Sequence, residues 1–153
     1  MNLFPWIKKK EFFTNEEKQL IATAIKDAEQ MTSGEVRVFV ESRCSYMNAM
    51  DRATEIFAQL EMYKTEARNA VLLYIAIKDR QLAIFGDEGI HQKVGQAYWN
   101  KEVQQLIQRF DKKNYAEGIK EVVLDIGEVL TTHFPYNHKT DRNELSNEIS
   151  FGK

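Results

Sequence analysis

The sequence is poor in residues that build covalent or metal-stapled scaffolds. It holds one cysteine, Cys44, among 153 residues, which excludes a disulfide framework and any cysteine-based zinc cluster. Its three widely spaced histidines argue against a His-rich metal site. With two prolines, seven glycines and no Gly/Ser-rich stretch, it has no visible interdomain linker. Charge of one sign is lacking as well. The 21 Lys+Arg against 23 Asp+Glu give a formal net charge of -2, so there is no basic excess to hold a polyanion and no nucleic-acid partner is expected. Long apolar runs are missing. The longest, 70–77, has strand length and falls far short of the ~18 residues of a membrane span, so no transmembrane segment is expected. Leu3, Phe4, Trp6 and Ile7 precede Lys8-Lys9-Lys10 instead of following them and are too few for a signal peptide. They read as an arm that packs on the domain; contact with an anionic membrane surface is the alternative. A free Cys44 without an export pattern sets the expectation of a cytoplasmic protein.

What is present is a core. The content is 43% hydrophobic and 11% aromatic, enough for one ordinary domain. The expected organisation is an arm over 1–13, an α/β/α domain over 14–135 and a polar tail over 136–153. Thr14 and Glu17 have capping-box spacing. Leu20, Ile21, Ala24, Ile25, Ala28 and Met31 follow at helical spacing, and Gly34 is placed as the left-handed cap. Val36, Val38 and Val40 then share one face of a first strand, Glu35 to Glu41. A second helix runs roughly from Asn48 to Met62. The unbroken apolar run from Ala70 to Ile77 marks a central strand covered on both faces. It turns through Lys78-Asp79-Arg80-Gln81 into a third strand, Leu82 to Phe85. Two more helices follow. One carries Trp99, Leu106 and Phe110. The other starts at Asn114, again with capping-box spacing to Glu117, and ends at Phe134-Pro135. The strand–helix–strand crossover makes the first two strands parallel and right-handed. The third pairs antiparallel as a hairpin. The expected fold class is therefore α/β: a three-layer α/β/α sandwich around a small mixed sheet.

This topology brings chemistry to one sheet edge. The starts of the first two strands and the end of the third share it, so Glu35, Arg68-Asn69 and Asp87-Glu88 lie on one rim. Glu35, Asp87, Glu88 and Asn69 are the hard oxygen donors that Ca²⁺ or Mg²⁺ prefers, and Gly86 and Gly89 let the loop turn tightly. The competing reading pairs Arg68 with Glu35 or Asp87 and leaves the acidic loop solvated. His91, just after the loop, is a possible ligand or acid, or a plain surface residue. On the opposite edge lie Ser42, Arg43, Cys44 and Asp79, of which only Arg43 suits an anion; Cys44 reads as a structural thiol in preference to a nucleophile. No phosphate loop, His-Glu-x-x-His or Gly-x-Ser-x-Gly motif occurs, and Gly-Asp-Glu-Gly lacks the later ligands of an EF-hand. Trp99 falls on the buried stripe, so Tyr98-Trp99 reads as core and not as a binding platform. In the tail, Leu145, Ile149 and Phe151 are spaced like the anchors of a segment that docks a protein partner, or one that folds back on its own domain.

The ordered series Phe12-Phe13-Thr14, Thr32-Ser33-Gly34-Glu35-Val36-Arg37-Val38, Asp51-Arg52-Ala53, Arg68-Asn69-Ala70-Val71-Leu72, Gly86-Asp87-Glu88-Gly89-Ile90, Phe134-Pro135 and Asn143-Glu144-Leu145 resembles the TPM domain family, in its short soluble bacterial branch. The resemblance implies an α/β/α sandwich, divalent metal binding, acid phosphatase activity in a chloroplast photosystem repair factor, and accessory roles at membrane complexes. The signal segment and membrane helix that most members carry are not read in this sequence. Family sites place an acidic residue before Asn-Gly-Val of the second strand and a carboxylate in a Gly-rich turn after the third. Asn69 and Asp87-Glu88 match in part. Arg68 stands where many members have Asp, and Ala70 replaces their Gly, which removes one implied ligand and introduces a cation. The expected function is an accessory or binding protein with a divalent-cation site, Ca²⁺ first and Mg²⁺ or Mn²⁺ next, held by Asp87, Glu88, Glu35 and Asn69, with Arg68 as a ligand-binding residue. The alternative is a weak metal-dependent acid phosphatase in which Asp87 or Glu88 positions water through the metal and Arg68 holds the phosphate.

Overall fold

Thr14 opens the first helix, α1 (Asn15–Glu29), with the capping box closed in both directions: Thr14 Oγ1 accepts from Glu17 N at 3.1 Å, and Glu17 Oε1 accepts from Thr14 N at 2.9 Å. Thr14→Ala is expected to cost about 1 kcal/mol, seen as a lower urea midpoint at unchanged slope. The structure, a computed structural model, describes residues 12–111, 114–136 and 149–152. The arm residues Leu3, Phe4, Trp6 and Ile7 lie outside them. Phe13 is buried, and Phe12 meets Tyr115 edge-on at 5.1 Å.

The helix does not end on Gly34. Gln30 closes it in ordinary right-handed geometry, and Gly34 lies against Leu130. Strand β1 (Glu35–Glu41) follows, then α2 (Ala49–Gln59), β2 (Ala70–Ala76) and β3 (Gln81–Gly86). β1 and β2 are parallel from Glu35↔Ala70 to Glu41↔Ala76. β2 and β3 are antiparallel from Val71↔Gly86 to Ala76↔Gln81, and Arg80 takes the positive φ, 52°, that the tight turn needs. Three helices complete the domain: α3 (Glu88–Val94), α4 (Gln96–Asp111) and α5 (Tyr115–His133). Asn114 precedes α5 but makes no side-chain cap bond. Its backbone, φ -97° and ψ 58°, is not in the extended conformation that aims a capping oxygen at the helix. Phe134 and Pro135 end α5, and Pro135 bridges Thr32.

The sheet gains a fourth strand that no pattern announces. β4 (Ser150–Phe151) pairs parallel with β1 through Phe39↔Ser150 and Val40↔Phe151, giving the order β3-β2-β1-β4. The end of the tail therefore folds back on its own domain, while Leu145 lies outside the described residues.

The alternation of β1 and β2 sorts the core into two layers. Val36, Val38, Val40, Val71, Leu73 and Ile75 pack with Ile21, Ile25, Trp99, Leu106, Ile119 and Ile126 of α1, α4 and α5. Leu72, Tyr74, Ala76 and Ala83 pack on the other face with Ala53, Ile56 and Phe57 of α2. The result is the expected α/β/α sandwich. Trp99 is core, as its position on the stripe predicts. Among the described residues no helix is long and apolar enough to cross a membrane.

Candidate functional site

The loop entering β2 is the hub of the rim. Asn69 O accepts from Glu35 N at 3.4 Å, Ala70 O from Asp87 N at 2.9 Å, and Arg68 O from Gly89 N at 2.8 Å. Main-chain bonds thus tie the start of β1 and the head of α3 to one short segment. Within it, Arg68 N donates to Thr65 O at 3.3 Å, and Arg68 itself holds a left-handed φ of 53°. That turn throws its side chain across the end of β3.

The guanidinium lands on Asp87 as a fork. Nε donates to Oδ2 at 2.6 Å and Nη2 to Oδ1 at 2.9 Å, while Nη1 donates to Glu88 Oε1 at 3.2 Å. Bidentate, charge-assisted pairs of this kind are the strong class. Asp87 is 3% exposed and also caps α3, accepting from Glu88 N at 2.8 Å. The hydrogen bond to Asp87 and its charge raise the Arg68 pKa further above the usual range, against a smaller opposing effect of desolvation. Glu88 remains largely exposed, so one cation facing two carboxylates leaves the rim a net negative charge.

Beside this pair opens a cavity of about 460 Å³. Its polar wall is Arg68, Asp87, Glu88, His91 and Gln96; Met50, Ile84, Phe85 and Trp99 are among its apolar lining. Trp99 Nε1 donates to His91 Nδ1 at 3.0 Å, so a neutral His91 carries its proton on Nε2. His91 thus lines the cavity with its Nδ1 already engaged.

The topology brings the predicted residues to one rim, but their side chains do not converge. Asn69 is buried and donates from Nδ2 to Ser33 Oγ at 3.2 Å. Glu35 hydrogen-bonds the Glu29 carboxyl. Glu29 in turn sits at the β1 edge facing away from β2, where Val36 N donates to its Oε2 at 2.7 Å. Burial first, then the Glu35 charge and hydrogen bond, push the Glu29 pKa up to about 9, against the Val36 amide and Arg37. A divalent ion needs several converging oxygens. The two oxygens of Asp87 are already engaged by three donors, and no group of three or more His, Cys, Asp or Glu side chains is placed to hold a metal among the described residues. As placed, the side chains of Asp87, Glu88, Glu35 and Asn69 do not meet at one point: Arg68 holds Asp87, Asn69 turns to Ser33 and Glu35 lies against Glu29.

The opposite edge holds a network that the sequence reading missed. Arg52 forks onto Glu41, Nε to Oε2 at 2.8 Å and Nη2 to Oε1 at 3.0 Å, and buried Tyr74 donates its hydroxyl to Glu41 Oε2. Burial pushes the Glu41 pKa up, but the bonds from Arg52 and Tyr74 and the Arg52 charge outweigh it and hold it below the usual range. The only sequence signal was the polar phase of β1, with Glu41 following Arg37 at even spacing. Arg43, the anion candidate there, pairs with Asp79 at 3.2 Å. Cys44 is buried, with Sγ 3.2 Å from Met47 O, as a structural thiol would be.

The family model described as the TPM domain matches residues 7–129. The solution structure of BA42 protein from the psychrophilic bacterium Bizionia argentinensis is similar at 37% identity and a TM-score of 0.86, over 95% of this chain and 99% of that one. The N-terminal domain of a P. gingivalis protein (18% identity, TM-score 0.64, 82% of this chain and 83% of that one) shares the fold. So does that of cg2496 protein from Corynebacterium glutamicum (13% identity, TM-score 0.63, 78% and 74%). No curated protein matches the chain.

Proposed function

The chain belongs to the TPM domain family, and from that premise we propose that it is an accessory binding domain whose ligand is the cationic side chain of a protein partner, seated at the pocket beside α3. The observation that carries this reading is the direction of the Arg68 fork. All three of its nitrogens point at carboxylates, so the rim is neutralised only in part, and Glu88 keeps an exposed oxygen. A Lys or Arg head meets that oxygen while its aliphatic stem lies along the half-buried Phe85 ring, as such stems do on apolar surface. A cavity near 460 Å³ is of the size that buries a small ligand or side chain.

The phosphatase reading draws less support. A phosphate dianion has to displace two carboxylates from Arg68, at a rim already negative, and neither Ser nor Cys lines the cavity as a nucleophile.

Amide chemical shifts, followed while a lysine-rich peptide is added, test the proposal. The expected result is perturbation centred on Glu88, His91 and Trp99, weakened by salt, lost in Glu88→Lys, and missing with an acidic peptide. Rim amides that stay still, or aryl-phosphate turnover that disappears in both Asp87→Ala and Arg68→Ala, overturn it.

A further inference from the structure

We infer that Arg68 is the resident cation of this rim, standing in the place of a divalent ion, so that the site is closed by the chain itself and does not depend on metal. The inference rests on the proposed cation-seeking character of the rim and goes one step further, by saying which cation satisfies Asp87.

Three observations carry it. The first is the fork itself: Asp87 is more than nine-tenths buried, and both its oxygens are engaged, Oδ2 by Arg68 Nε and Oδ1 by Arg68 Nη2 and the Glu88 amide. An incoming ion gains these oxygens only by breaking a bidentate, charge-assisted pair, and it then lies beside the displaced guanidinium, a like charge.

The second is the backbone. Arg68 holds φ 53°, a conformation that a residue with a Cβ keeps only where its surroundings fix it. Here they do. Arg68 N is bonded to Thr65 O, Arg68 O accepts from Gly89 N, and Asn69 N donates to Thr65 Oγ1 at 3.3 Å. The loop is built to deliver this side chain to this carboxylate.

The third is the fate of the other oxygen donors. Asn69 turns to Ser33 and Glu35 to Glu29, which leaves Asp87 and Glu88 as the carboxylates that face the guanidinium and would be freed by its loss.

Thermal melting of the full chain at matched ionic strength, in NaCl, MgCl₂ or CaCl₂, tests the inference without any partner. Failure of the peptide titration and failure here are therefore separate events. The wild-type melting temperature is expected to be unmoved by millimolar divalent ion. Arg68→Asn, which tolerates a left-handed backbone, is expected to melt several degrees lower and to recover part of the loss in CaCl₂ but not in NaCl, because its freed carboxylates accept the ion. Arg68→Lys keeps the charge, loses the fork, and is expected to melt between the two. A wild-type melting temperature that rises with CaCl₂, with the rise lost in Asp87→Asn, overturns the inference. So does an Arg68→Asn chain that melts like the wild type or ignores calcium. Should Arg68→Asn fail to fold, the Lys variant decides: melting at the wild-type temperature removes the fork, and a lower one supports it.

Discussion

Gly89→Ala is expected to be among the most destabilising single changes at the rim, costing about 3 kcal/mol, read as a fall in the urea midpoint at unchanged slope. A Cβ built there lies 2.6 Å from Arg68 O and closer still to Ala67 O. Both are backbone atoms, so no flexible side-chain tip can yield. The loop cannot simply step back, because its carbonyls are engaged in turn by Glu35 N, Asp87 N and Gly89 N itself. Relief at Gly89 therefore strains the entry of β2, the cap of α3 and the Arg68–Asp87 fork together. The same substitution is expected to remove the rim perturbation by a lysine-rich peptide even where the chain still folds, since it shifts Arg68 relative to Glu88. A midpoint within a few tenths of a molar of the wild type means that the two segments are less tightly locked than the geometry requires.

The rim shows where sequence reasoning reaches and where it stops. Which residues share the edge followed from topology alone: the apolar run of β2 made it central, the crossover made β1 parallel to it, and the short turn made β3 antiparallel. Those inferences need only periodicity and handedness. Which side chains touch is set by local backbone. Arg68 reaches Asp87 because its φ is positive, and no hydrophobic pattern encodes that. Of the alternatives left open at the sequence level, pairing of Arg68 with Glu35 or with Asp87, the fork onto Asp87 is the one formed. Glu35 was drawn away by a partner that lies in the last turn of α1, where Glu29 bonds the unpaired amide of Val36; helix periodicity gave Glu29 no role. β4 is two residues long and leans on a partner strand for its identity, so it has no pattern of its own to read. The two capping boxes separate in the same way. Thr14 and Asn114 have identical spacing to a Glu, yet only Thr14 holds the extended backbone that lets the box close.

Stability is expected to fall as the solution is taken from about pH 5 to about pH 9, because two carboxyl groups bind their protons more tightly in the folded chain than in the unfolded one. One is Glu29, paired with Glu35 at the β1 edge. The other is Glu102, in the α4–α5 seam. It is 4% exposed. Burial first, then the charge and hydrogen bond of Asp125 and the charge of Glu128, raise its pKa to about 7 against the opposing Lys101. For groups raised in this direction the stabilisation is complete below the ordinary carboxylate range and disappears as pH climbs through the folded value, near 7 for Glu102 and near 9 for Glu29. Glu102 and Glu29 both contribute to this slope, in the same direction. Glu41 works in the opposite direction. Its pKa is held below the usual range, so its contribution is present above that range and is lost only on strong acidification, which places the stability maximum in mildly acidic solution. Urea midpoints across this pH interval measure the slope. Glu29→Gln and Glu102→Gln mimic the protonated acids: a Gln at position 29 keeps an acceptor for the Val36 amide and offers an N–H to Glu35, and one at position 102 does the same toward Asp125. Each is expected to flatten its own part of the curve, and the double variant most of it. A wild-type curve flat between those limits, or a slope that survives in the double variant, assigns the protons elsewhere.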